Sequence, residues 1–177
     1  PMYSKGLCQE VDGRFLIQNP PSRYLEENEM DKIASYPYQR DLHPYHAKDG
    51  KVKALETIKF SIMTHHGCWG ECNYCAIAAH QGRTIRTRSE ENILSEAKHF
   101  TTLKDFKGII SDVGGPTANM YGYECKKKMN LGTCIDNKRC VDAHRLCRTM
   151  KVDHSRNIKL LKDIRAIPKV KKAFIAS

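Results

Sequence analysis

The chain has 177 residues, 40% of them hydrophobic and 28% charged, with a formal net charge of +10 at pH 7. That length predicts one domain with its own core. The want of any apolar run of about 18 residues argues against a membrane span. The eight cysteines, with no apolar signal core after Pro1 to Lys5, point to reduced cytoplasmic thiols that bind metal rather than to a secreted disulfide scaffold. With a first residue other than Met, a piece cut from something longer is expected. Outside Lys126-Lys127-Lys128 and Lys169 to Lys172 the basic residues are spread out. They read first as a solvated surface, with nucleic acid as the competing reason.

Residues 1–56 read as a mostly irregular N-terminal extension, interrupted by Pro20-Pro21, Pro37 and Pro44. One short helix is expected from Glu26 to Ala34, with Met30, Ile33 and Ala34 inward. Tyr24, Tyr36, Tyr38 and Tyr45 suggest an arm packed on a larger body. From residue 57 the pattern changes. Ile58, Phe60 and Ile62 alternate with polar residues across Thr57 to Met63, which predicts a strand. After a cysteine loop, Ser89 before Glu90-Glu91 predicts a capped helix with Ile93, Leu94, Ala97 and Phe100 on its apolar face. Lys107 to Val113 reads as a second strand, stopped by Gly114-Gly115-Pro116. A Cys-rich insertion occupies about residues 117–153. Ser155 then caps a helix with Ile158, Leu161 and Ile164 inward, ended by Pro168, and Lys171 to Ala176 reads as a third strand.

Strands alternating with helices predict an α/β fold with parallel pairing and right-handed crossovers. Residues 57–177 are then an incomplete (β/α) core, since a closed barrel takes about 250 residues. More repeats are expected beyond the third strand, and the piece alone is expected to be weakly active or inactive.

The segment His66 to Cys75 carries Cys68, Cys72 and Cys75 in the spacing C-x3-C-x2-C, directly after the first strand. Three thiolates on one short loop can hold three corners of a cubane cluster and leave one iron open to a small-molecule ligand. A zinc site completed by His65, His66 or His80, or unliganded structural cysteines, are the competing readings. A second group, Cys125, Cys134, Cys140 and Cys147, lacks short Cys pairs. It could hold an auxiliary iron–sulfur cluster or a structural zinc, stay unliganded, or form a disulfide. Cys8 reads as a small buried hydrophobe. Arg83, Arg86 and Arg88 could bind an anion or line a solvated edge. Asp112, Asn119, His80 and Gln81 stand near the loop or the glycine turn, with either site or local roles.

With Tyr74 before its last cysteine, the loop resembles the signature of the radical S-adenosylmethionine (SAM) superfamily. Several stretches narrow this to a resemblance to YgiQ-type radical SAM proteins: His80-Gln81-Gly82-Arg83, Arg88-Ser89-Glu90-Glu91, Ser111 to Tyr121, Asp153-His154-Ser155, Gln18 to Pro21 and Tyr38 to Pro44. The resemblance implies a partial radical SAM (β/α) barrel in which Cys68, Cys72 and Cys75 ligate a [4Fe-4S] cluster and SAM chelates the open iron. It implies reductive cleavage of SAM to a 5′-deoxyadenosyl radical acting on an unknown substrate. Tyr74 would border the adenine, and Gly114 and Gly115 the methionine amino group, although Pro116 replaces the family's usual acidic residue. The electron donor would be flavodoxin- or ferredoxin-like. The alternative is a basic, zinc-stabilised nucleic-acid-binding module without catalysis.

Overall fold

The computed structural model describes residues 5–20, 22–117, 119–131, 134, 139–142 and 145–175. Pro1 to Ser4, Pro21, Ala118 and Ala176, which carry parts of the readings above, lie outside the described residues, as do stretches of the Cys-rich insertion.

The extension is more regular than expected. Strands β1 (Leu7–Val11) and β2 (Arg14–Gln18) form an antiparallel hairpin in which Val11 faces Arg14. Asp12 and Gly13 close it at φ 49° and 72°, the paired left-handed conformation that an Asp-Gly turn supplies at low cost. Cys8 lies on this hairpin and is exposed, which corrects its reading as a buried residue. Helix α1 (Glu27–Ala34) begins behind Glu26, which forms a capping box with Glu29. Met30 is buried, but Ile33 is 41% exposed and does not face inward.

Aromatic packing is not what fixes this extension. Tyr36, Tyr38 and Tyr45 are exposed, and Tyr24 alone of the four is half-buried. Polar contacts do the fixing. Asp31 accepts from the Ser89 backbone N–H at 3.0 Å, and Asn92 donates to Ser35 Oγ at 2.8 Å. Glu96 is clamped between Arg40 and Arg88.

A 3-10 turn at Pro44–Asp49 leads to α2 (Lys53–Ile58), so the expected strand from Thr57 shrinks to β3 (Ser61–Met63). Ala54, Leu55 and Glu56 are good helix formers, and they carry Thr57 and Ile58 into the helix; the apparent alternation straddled a helix end and a strand. The expected boundary at residue 57 therefore falls inside α2.

Strand β4 (His65–His66) pairs antiparallel with β5 (Arg86–Thr87) across the cysteine loop and the short helix α3 (Ile77–Gln81). Helix α4 (Glu90–Phe100) follows, with Ser89 Oγ accepting from Asn92 N–H at 3.1 Å. The second strand is split at Ser111 into β6 (Ile109–Ile110) and β7 (Asp112–Gly114). The insertion holds β8 (Glu124–Cys125), α5 (Lys126–Leu131), β9 (Val141–Asp142), β10 (Arg145–Leu146) and β11 (Met150–Lys151). Helix α6 (Ser155–Ala166) begins one residue earlier than a Ser155 cap would give. His154 is the N-cap, and Asp153 accepts from the Ser155 N–H at 2.9 Å. Ile158 points outward at 51% exposure, while Asn157, Leu160 and Ile164 are buried. Strand β12 (Lys172–Ala173) is shorter than the stretch expected.

The fold is mixed α/β with two small parallel pairs. β3 runs with β7, Ile62 facing Val113, and β12 runs with β6, Ala173 facing Ile110. Ile109 to Gly114 thus carries both pairings, its front half toward β12 and its rear half toward β3. Helices α4 and α6 pack on this strand set around Ile62, Ile93, Phe100, Ile110, Leu160 and Ile164. No closed barrel is formed by the described residues.

Candidate metal centre

Parallel strands place the loop. β3 delivers the chain to Thr64, whose N–H and hydroxyl both donate to the Gly114 carbonyl, at 2.6 and 3.1 Å. His65 follows, wholly buried, with Nδ1 2.9 Å from Thr64 Oγ1. Burial pushes its pKa down to about 4, so the ring is neutral near pH 7. Its Nε2 has no hydrogen-bond partner among the described residues. The same ring explains one glycine. A Cβ on Gly115 would stand 2.6 Å from both the carbonyl oxygen and Cε1 of His65. Gly115 therefore lets the end of the second strand lie directly on the residue that leads into the cysteine loop.

The loop is closed at its base by backbone contacts. Cys68 N–H donates to the Gly82 carbonyl at 3.0 Å, and Gln81 Oε1 accepts from Gly67 N–H at 3.3 Å. Gly67 has φ 85°, and a Cβ there would stand 2.2 Å from the Thr84 carbonyl oxygen. Gln81 is thus a loop anchor, and His80 is exposed. Glu71, at φ 45°, pairs with Arg83 at 2.8 Å.

Cys68 is buried, Cys75 half-buried and Cys72 exposed. Gly70 lies between two of the sulfurs: a Cβ there would be 3.4 Å from Cys68 Sγ and 3.5 Å from Cys72 Sγ. Gly70 N–H donates to Cys68 Sγ at 3.3 Å, and Cys75 N–H to the Cys72 carbonyl at 3.0 Å. Sulfur donors that face one glycine and accept a backbone N–H suit a thiolate-ligated iron–sulfur cluster. The donor set fits, although no three His, Cys, Asp or Glu side chains among the described residues are gathered as a metal-holding group.

Tyr74 is 92% exposed, at the outer edge of the loop. Gly114 is buried with its carbonyl engaged by Thr64. Arg88 does not line a solvated edge: it is 3% exposed and binds a carboxylate of the chain itself, Glu96, at 2.7 Å, and the Met63 carbonyl at 2.8 Å.

Two residues escaped the sequence reading. Trp69, the single tryptophan, is 1% exposed and packs with Ile85, Tyr123, Cys125 and Cys140. It joins the first cysteine loop to the second cysteine group. Lys128, read within a charge run, is 2% exposed, with Nζ over the Trp69 ring, bonded to the Arg83 carbonyl and 3.1 Å from Cys140 Sγ. Their signal, an aromatic beside Cys68 and a lysine one helical turn past Cys125, was legible only with the partners in view.

The comparison with known families bears on the segment before this loop and on the chain as a whole. Residues 1–61 match the radical SAM N-terminal family. Along its whole length the chain is 55% identical to a UPF0313 protein of Fusobacterium nucleatum, of which it spans 31%. It is 47% identical over 173 residues to a UPF0313 protein of Clostridium botulinum and 44% identical over 177 residues to one of Clostridium perfringens, spanning 27% and 26% of them. Residues 1–61 are thus similar to the radical SAM N-terminal family and the chain as a whole is similar to UPF0313 proteins, of which it covers under a third of the length. No described helix is long and apolar enough to cross a membrane.

Proposed function

We propose that this chain contributes the cluster-binding front of a cytoplasmic radical SAM enzyme, with Cys68, Cys72 and Cys75 as the three protein ligands of a [4Fe-4S] cluster. The observation that carries this reading is the C-x3-C-x2-C loop itself, hung between β4 and β5 with Gly70 between two of its sulfurs. When bound, the cluster would deliver an electron that cleaves SAM to methionine and a 5′-deoxyadenosyl radical. The protein's own residues hold and shield. Gly67 and Gln81 fix the loop base, Trp69 seals its inner side, and Gly70 N–H supports the Cys68 thiolate. Gly114 and Gly115 would border the methionine amino group and Tyr74 the adenine. The parallel strands β3, β6–β7 and β12 are read as the first three of a (β/α) barrel. A flavodoxin- or ferredoxin-like donor supplies the electron.

The test is anaerobic purification of the complete protein with iron and sulfide counting, followed by a 5′-deoxyadenosine assay with a strong reductant. About four irons per chain and SAM cleavage are expected. Cys72→Ala should abolish the cleavage and leave a soluble chain, because Cys72 is exposed. Full 5′-deoxyadenosine production by that variant, or tightly bound zinc without iron, would sink the assignment, and the zinc result would favour the nucleic-acid-binding module.

A further inference from the structure

The fold gathers cysteines of the insertion that lie far apart in sequence. In the β9–β10 hairpin Val141 faces Leu146. Continuing that register puts Cys140 opposite Cys147, whose N–H donates to the Cys140 carbonyl at 2.8 Å. On β8, Cys125 faces Met150 of β11, one residue beyond Thr149. Thr149 Oγ1 lies 3.7 Å from Cys125 Sγ and 3.2 Å from Cys147 Sγ, so these sulfurs stand no more than about 7 Å apart. Cys134 lines a cavity of about 220 Å³ that Lys128 also lines.

Lys128 adds an independent observation. Among the described residues its buried ammonium meets a carbonyl, an aromatic face and the Cys140 sulfur. Thiolates around a metal carry net negative charge, which N–H···S contacts of this kind offset. Among the described residues the insertion's apolar packing is small, Tyr123 with Met120, Val141 and Met150 around the shared Trp69. A metal would hold its short hairpins together.

We infer that Cys125, Cys140 and Cys147, with Cys134 as the fourth donor, form a second thiolate metal centre, distinct from the Cys68–Cys72–Cys75 loop and joined to it through Trp69 and Lys128. Zinc and an iron–sulfur cluster share this four-thiolate chemistry. No three of these side chains are gathered as a metal-holding group among the described residues, so the centre requires their sulfurs, spread around Thr149 and Lys128, to close inward by side-chain rotation.

The experiment uses the complete protein carrying Cys68→Ser, Cys72→Ser and Cys75→Ser, so that its outcome is independent of the radical SAM reading. Zinc, iron and acid-labile sulfide are measured after purification without oxygen. About one zinc per chain, or iron with matching sulfide, supports the centre and tells which metal fills it. Adding Cys147→Ser should lower that metal content at least tenfold. Cys147 is only half-buried, so the fold should survive its replacement, and circular dichroism checks this. Should that variant unfold, chelation of the parent triple variant gives the same reading, since metal release should open Cys125 and Cys140, both buried, to alkylation. Metal-free protein, metal unaffected by Cys147→Ser in a folded chain, or a Cys140–Cys147 disulfide would overturn the inference.

Discussion

Replacing Gly67 by alanine attacks the base of the cysteine loop without touching a sulfur. Two penalties add. The residue sits at φ 85°, a conformation that costs a residue with a Cβ about 1–2 kcal/mol. The new methyl would also stand 2.2 Å from the Thr84 carbonyl oxygen and 2.9 Å from its carbon. These are backbone atoms that cannot swing aside, and overpacking of this kind typically costs about 1–3 kcal/mol. The sum is roughly 2–5 kcal/mol, a large share of the ~5–15 kcal/mol that holds a domain folded. Gly70→Ala is the internal control: its Cβ meets two flexible sulfurs at 3.4 and 3.5 Å, near ordinary contact, so its cost should stay below about 1 kcal/mol. Urea unfolding followed at Trp69, the single tryptophan and a buried one, reads this region directly. With a slope of about 2 kcal/mol/M, Gly67→Ala should move the midpoint down by roughly 1–2.5 M and Gly70→Ala by less than about 0.5 M. Equal midpoints for Gly67→Ala and wild type, with unchanged slope, would refute the account of how the loop is closed.

Two further outcomes are expected. Buried His65 resists protonation until about pH 4, whereas the unfolded ring takes a proton near 6.5. The unfolded state therefore binds more protons between those values, and stability falls as pH drops through that window, by up to roughly 3 kcal/mol. His65→Gln should flatten the urea midpoint against pH between 4 and 6.5, and a variant with the wild-type slope would disprove this. Ser89→Ala removes the acceptor for Asn92 N–H at the start of α4 and should cost about 1 kcal/mol in the same unfolding measurement. A change below about 0.3 kcal/mol would show the cap to be idle.

Local chemistry decided what could be read locally. Ser89 before two glutamates capped α4 as expected, and the 3.6-residue spacing of Ile93, Ala97 and Phe100 placed all three in the core. The Asp12-Gly13 turn was equally local, an available signal that the proline-broken look of the extension outweighed. Ile158 illustrates the opposite limit. Its spacing suits an inward face, yet α6 lies on the sheet through Asn157, Leu160 and Ile164, and helical phase alone cannot choose between neighbouring stripes. Arg88 looked like one of three surface arginines because its partners, Glu96 and the Met63 carbonyl, are reached only after the chain has folded back.

By itself the sequence determined the cysteine spacing, the succession of the three core strands and helices α4 and α6, and the glycine pair that ends the second strand, since each depends on neighbours within a few residues. Tertiary structure alone decided that Gly115 lies on His65, that Trp69 joins the two cysteine groups and that Lys128 is buried against Cys140. The physical reason is that burial and charge pairing are set by contacts between distant segments, and no local pattern encodes which distant segment arrives.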